Sequence, residues 1–209
     1  MIDFIDNKLH YLYLNGNKDR NTVLLLHSTG GDEIEMIDIA RYLYPKNPIL
    51  GIRGRVQENG VINRWFKRRK EGDFDIDSLY REEAILIKRV NSLISELNLN
   101  PRLNVIGYSN GANVALHLEL SNQIHFEQIM AYHPMMIEEL KVSINDQKSN
   151  IFISHGEDDP IVPDENFHQL LGLLENSGHN LEIYEFNGEH SLTNEEIFTS
   201  KKIIKNELV

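Results

Sequence analysis

Residues Gly107-Tyr108-Ser109-Asn110-Gly111 place a serine between two glycines, after the apolar run LNVI and ahead of the helix-like GANVALHLEL. The spacing is G-x-S-x-G at a strand-to-helix turn, the context in which a serine hydroxyl is presented as a nucleophile. Small residues on either side let strand and helix approach closely, and the turn lifts Oγ above the sheet. The backbone N–H of Asn110 then opens a helix, where unpaired donors and the helix dipole favour an anion. A glycine-rich turn with a helix-capping serine is the plainer alternative. The strand, turn and helix in sequence favour the nucleophile.

A serine hydroxyl attacks only if a base takes its proton. The chain order that suits this turn is Ser, then Asp or Glu, then His. SHGEDDPIVP puts Asp158 and Asp159 just past a strand, and FNGEHSL puts His190 just past the last one. Nine histidines compete for the base. His10 and His27 precede the serine, His117 and His168 fall in helical segments, and His125 and His179 fall in connections. His133 and His155 do end strands. His155 begins H-G-x-x-D and reads as a residue ordering that turn; His133, before Pro134, reads as pocket wall. His190 has the right order, in a loop, and is the expected general base. Adjacent aspartates cannot both face one imidazole. Asp159, ahead of Pro160, is the expected partner that fixes the tautomer, and Asp158 reads as a solvated turn residue. The loop HSTGGDE (27–33) follows an early strand, so the backbone N–H groups of Thr29 and Asn110 are the expected oxyanion donors.

These residues need a scaffold. Short apolar runs at 22–27, 47–53, 103–109, 128–134, 150–156 and 181–187 read as strands. Amphipathic segments at 34–43, 78–97, 111–120, 164–178 and 193–208 read as helices between them, and LHYLYLNGN (9–17) reads as an edge strand closed by an Asn-Gly turn. The alternation predicts an α/β fold, with a mostly parallel sheet flanked by helices, no large cap, and a single domain over 1–209. Segment 54–77 is long for a strand-to-helix connection and is expected to be a loop or lid-like segment near the site. In it, Trp65 and Phe66 suit either an apolar wall for substrate or a core anchor, and Met135 and Met136 suit the pocket or the core. Arg64 and Lys67 to Lys70 form a basic run that reads first as a solvated face and second as a recognition surface for an anionic group.

Composition narrows the chemistry. With 21 basic and 32 acidic residues the net charge is −11, which argues against nucleic acid or an anionic membrane as partner. There is no cysteine, so a thiol nucleophile, a disulfide framework and Cys-ligated metal are excluded. The N-terminus lacks the basic and apolar regions of a secretory signal, and no apolar run spans a bilayer. A cytoplasmic protein without metal or cofactor is expected, with a small-molecule ester as partner and homodimer formation left open.

LLLHSTGGDE, GYSNGANVAL, ISHGEDDPIVP and NGEHSL together resemble the α/β-hydrolase fold, more narrowly the small carboxylesterase/phospholipase family that includes acyl-protein thioesterases and dienelactone hydrolase relatives. RGRVQENGVINRWFKRRKEGDFDIDSL resembles a bacterial branch of these esterases, some of whose members are associated with hydroquinone and quinone stress. The resemblance runs from about Leu9 to the end. It implies Ser109 as nucleophile, Asp159 as acid, His190 as base, and Thr29 and Asn110 as oxyanion donors. Ser28 stands where many relatives carry glycine, and Glu189 replaces a common glycine before the histidine. The implied activity is hydrolysis of small or short-acyl carboxylic esters through an acyl-enzyme. A thioesterase, a lactone or ring-fission-product hydrolase, and a non-catalytic ligand-binding protein on the same fold are the alternatives.

Overall fold

The computed structural model describes residues 2–6, 9–70, 72–142, 144 and 147–205. The strands are β1 (Ile2–Asp6), β2 (Leu9–Leu14), β3 (Thr22–Leu26), β4 (Ile49–Ile52), β5 (Val56–Glu58), β6 (Ile62–Arg64), β7 (Arg68–Lys70), β8 (Asp73–Phe74), β9 (Leu103–Tyr108), β10 (Gln128–Tyr132), β11 (Asn150–Gly156) and β12 (Asn180–Phe186). The helices are α1 (Ile37–Leu43), α2 (Ile76–Glu96), α3 (Asn110–Leu120), α4 (Asp164–Ser177) and α5 (Asn194–Lys205). Eight strands form one sheet in the order β1-β2-β4-β3-β9-β10-β11-β12. From β4 to β12 every pairing is parallel; β2 runs antiparallel to β1 and to β4. This is the α/β-hydrolase architecture with a mostly parallel sheet.

The central strands read as continuous apolar runs because both faces are covered. In β3, Leu24 and Leu26 belong to the cluster that includes Leu86 and Val90 of α2 and Leu170 of α4, whereas Val23 and Leu25 join Ala40 and Leu43 of α1. The period of two along one strand thus feeds two separate cores. Helix α2 starts at an Asp75 N-cap, whose carboxylate accepts from Ser78 N–H at 3.0 Å. Helix α5 starts with a capping box: Glu196 accepts from Thr193 N–H at 2.7 Å, while Thr193 Oγ1 accepts from Glu196 N–H at 3.3 Å.

Two expectations are corrected. The 9–17 strand is not at the edge: β1, which alternation alone did not reveal in so short a segment, pairs outside it with Ile2 opposite Tyr13 and Asp6 opposite Leu9. Segment 54–77 is not a plain loop. It folds into two antiparallel ribbons, β5 with β6 and β7 with β8, and then enters α2. The first ribbon turns at Asn59 and Gly60, both with positive φ. Among the described residues, no helix is long and apolar enough to cross a membrane.

Candidate active site

Ser109 sits at φ 51° and ψ −115°, outside the regions ordinary L-residues favour, a strain that persists only when the surroundings impose it. They do so through close approach. A Cβ on Gly111 would lie 2.0 Å from the Leu26 carbonyl oxygen, and one on Gly107 would lie 2.7 Å from the Ala112 backbone. Only glycine lets α3 start this near to β3 and β9. At the other side, a Cβ on Gly156 would lie 2.3 Å from the Gly188 carbonyl oxygen. That contact brings the turn after β11 against the loop after β12.

The three side chains singled out by chain order meet at this rim. Ser109 Oγ lies 2.8 Å from His190 Nε2, and His190 Nδ1 lies 2.6 Å from Asp159 Oδ2. With the serine donating to Nε2, the imidazole donates its Nδ1–H to the carboxylate. Tyr108 stacks on the His190 ring at 5.8 Å and donates its hydroxyl proton to the His190 carbonyl oxygen at 2.6 Å, which anchors the loop bearing the imidazole. Burial raises the Tyr108 pKa, so the phenol keeps its proton. Burial alone would raise the pKa of Asp159. Hydrogen bonds from His133 and His190, and from the amides of Val162 and Ile161, outweigh it and hold the carboxyl far below the usual range. Asp158 is exposed, as its reading as a solvated turn residue requires.

His133 is the residue that sequence reasoning placed wrongly. It does not line the cavity at Ser109. It is fully buried behind Asp159, with Nδ1 3.3 Å from the same Oδ2 that His190 uses. Its Nε2 lies 2.9 Å from Oε1 of the buried Glu196, at ion-pair distance although off the line of a hydrogen bond. Burial alone would lower the His133 pKa, but Asp159 and Glu196 raise it above the ordinary value. The same contact with His133 helps hold Glu196 low against its own burial. A histidine ending a strand beside the nucleophile's strand was the available signal; a second imidazole on one carboxylate oxygen was not readable from it. His155 is fully buried and stacks on Phe167 at 4.3 Å, with neither ring nitrogen hydrogen-bonded among the described residues.

Asn110 is the first residue of α3, where an N–H has no intrahelical acceptor. In the loop after β3, the amides of Ser28, Gly30 and Gly31 donate to Glu35, Asn63 and Ser28, at 2.7, 2.8 and 3.1 Å. The Thr29 N–H takes no acceptor among the described residues. Thr29, Asn110, Ser109, His190 and Met135 all border one cavity of about 340 Å³. Met135 is held there by its own N–H, which donates to Asn113 Oδ1 at 2.8 Å.

Trp65 and Phe66 do not border that cavity; both are core residues, 5% and 0% exposed. The Trp65 indole N–H donates to the His27 carbonyl at 2.9 Å, and its backbone N–H donates to Asn110 Oδ1 at 3.0 Å. His27, kept neutral by burial, accepts from Gly54 N–H at 2.8 Å. Trp65 therefore pins the 54–77 segment to both loops that carry the expected oxyanion donors. The basic run also divides. Arg69 and Lys70 are exposed. Arg64 is 3% exposed and, with Arg68 and Phe74, borders the cavity.

A model of the phospholipase/carboxylesterase family matches residues 13–208. MhqD of Bacillus subtilis (strain 168), a hydrolase by name, is 32% identical over 203 residues, covering 96% of this chain and all of that protein. The structure of YahD with malic acid is 42% identical, covers 95% of this chain and 98% of that one, and superposes with a TM-score of 0.90. The Bacillus cereus carboxylesterase is 29% identical, with coverage of 96% and 95% and the same TM-score of 0.90. With a match over nearly its whole length and a relative above three-tenths identity, this chain belongs to the phospholipase/carboxylesterase family of the α/β-hydrolase fold.

Proposed function

We propose that the protein is a serine hydrolase that cleaves carboxylic esters of small or short-acyl substrates through an acyl-enzyme. The observation that carries this reading is the continuous chain Ser109 Oγ to His190 to Asp159, at 2.8 and 2.6 Å, on the rim of an open cavity. His190 takes the serine proton as Oγ attacks the ester carbonyl. The tetrahedral oxyanion is held by the N–H groups of Thr29 and Asn110, each contributing roughly 3 kcal/mol to the transition state. His190 then protonates the departing alcohol. Water enters, gives its proton to His190, attacks the acyl-serine, and the carboxylic acid leaves with Oγ reprotonated. Asp159 stays ionised throughout and stabilises the transient imidazolium.

A cavity of about 340 Å³ suits a small substrate. The test is labelling by a fluorophosphonate probe, together with release of para-nitrophenol from its acetate and butyrate esters. Wild type should label and turn over. Ser109→Ala should lose the label and lower turnover by roughly 10⁴-fold or more. Labelling that persists in the variant would remove Ser109 as nucleophile. A panel of short esters, acyl thioesters and lactones then ranks the leaving groups.

A further inference from the structure

We propose that Arg64 and Arg68 make the wall of the cavity at Ser109 an anion-recognising surface, so that the preferred substrates are esters carrying a carboxylate a few bonds from the carbonyl under attack. The inference rests on the serine-hydrolase reading and adds its substrate class. Three observations lead to it.

First, both arginines border the same cavity as Ser109 and His190, in a chain whose net charge is −11. Acidic residues outnumber basic ones 32 to 21 in this molecule, yet two arginines stand at this wall. Second, they are oriented and not left to sweep through solvent. Arg64, 3% exposed, donates from Nη1 to Thr29 Oγ1 at 3.2 Å and from Nε to the Phe66 carbonyl at 3.4 Å. Arg68 donates through Nε and Nη2 to the two oxygens of Glu58, both at 3.1 Å, and Glu58 also lies 3.4 Å from Arg64 Nη1. Glu58 on the first ribbon thereby occupies the Nε/Nη2 edge of Arg68 on the second and holds that guanidinium in one orientation. Third, Asn110, a cavity-lining residue 3% exposed, has a side-chain Nδ2 with no hydrogen-bond acceptor among the described residues. A buried amide donor left unpaired is rare and calls for an acceptor that the chain itself does not supply. Phe74, Met135 and Ile161 supply the apolar share of the lining, which suits the short carbon chain between the two polar ends.

Hydrolysis of such a substrate consumes one ester and one water. It breaks the acyl–oxygen bond and releases the alcohol and a dicarboxylate when the charge is on the acyl side. It releases a monocarboxylic acid and a charged alcohol when the charge is on the leaving side.

The experiment compares kcat/KM within two matched pairs. One is para-nitrophenyl hemiglutarate against para-nitrophenyl pentanoate, with the charge on the acyl side. The other is para-acetoxybenzoate against its methyl ester, with the charge on the leaving side. In wild type, the charged member of one pair should be favoured by roughly tenfold to a hundredfold, the range of a charge-assisted hydrogen bond. Arg68→Gln should bring that ratio towards one, while Arg69→Gln, outside the cavity, should keep it. Equal or reversed preference in both wild-type pairs overturns the proposal whether or not the Arg68 variant folds, and so does a ratio that Arg68→Gln leaves in place. If the neutral esters are cleaved and Ser109 is labelled without any charge preference, only this proposal fails. If no ester is cleaved and Ser109 resists the probe, the hydrolase reading fails with it.

Discussion

The two sides of Asp159 are built differently. Towards the cavity, Oδ2 faces His190, whose ring is partly exposed, sits on a loop and touches the hydroxyl of Ser109. Towards the interior, the same oxygen faces His133, fully buried and flanked by the equally buried Glu196. One imidazole has room to take up and pass on a proton. The other lies between two carboxylates, 3.3 Å from Asp159 Oδ2 and 2.9 Å from Glu196 Oε1, which raise its pKa against its burial. Glu196 is fixed in turn, accepting from Ser154 Oγ at 2.7 Å while it caps α5. The contrast teaches that one carboxylate is asked for two things: a precise orientation for the proton carrier on one face, and a stable charge on the other. Under the proposed mechanism the inner histidine, with the Ile161 and Val162 amides, helps hold the aspartate ionised while the outer one cycles.

Asp159→Asn strikes both sides and should have the largest effect. The neutral amide lacks the charge that stabilises an imidazolium, and its NH2 must face either the Ile161 and Val162 N–H groups or the two imidazoles, so kcat should fall by roughly 10⁴-fold. Single-turnover kinetics with an activated ester would measure it; a loss below about tenfold would break the division of roles. His133→Asn strikes only the inner side. It leaves Glu196 buried without its charge partner and should cost about 3–5 kcal/mol of stability by urea titration. Glu196→Gln in the His133→Asn background should recover part of that loss.

The pH dependence of stability sharpens the same contrast. His133 has a raised pKa, so its contribution is complete below the ordinary value of 6.5 and is lost as pH rises through the raised one. Glu196 and Asp159 have lowered pKa values, so theirs are complete above the ordinary 4.5 and 3.8 and are lost as pH falls through the lowered ones. Thermal unfolding should therefore show maximal Tm between those limits, and His133→Asn should flatten the alkaline side. Tyr108→Phe removes one bond to the His190 backbone and should cost about 1 kcal/mol in kcat/KM. Asp158→Asn should be nearly silent, within about 0.5 kcal/mol in stability, because Asp158 is exposed one residue away from all of this.

Some of this was legible in the residues alone. The G-x-S-x-G spacing carries its own backbone demand, because a glycine at 111 is needed wherever a helix starts within contact of Leu26. Strand and helix periods are local properties, and they placed the parallel core. Chain order then picked Ser109, Asp159 and His190, three residues the fold brings within hydrogen-bond reach. What one strand's pattern cannot carry is which side chain from a distant element faces it. Trp65 fits a cavity wall and a core equally well until the sheet order stacks its indole beside His27, 4.9 Å away. Arg64 and Arg69 are alike in a basic run until ribbon pairing sets Arg64 opposite Val56 and buries it. The partnership of His133 with Asp159 joins residues 26 apart in the segments that follow neighbouring strands β10 and β11. Periodicity and backbone sterics act over a few residues and were settled by the sequence. Burial, charge pairing and the shape of the cavity arise between elements far apart along the chain, so only their packing decided them.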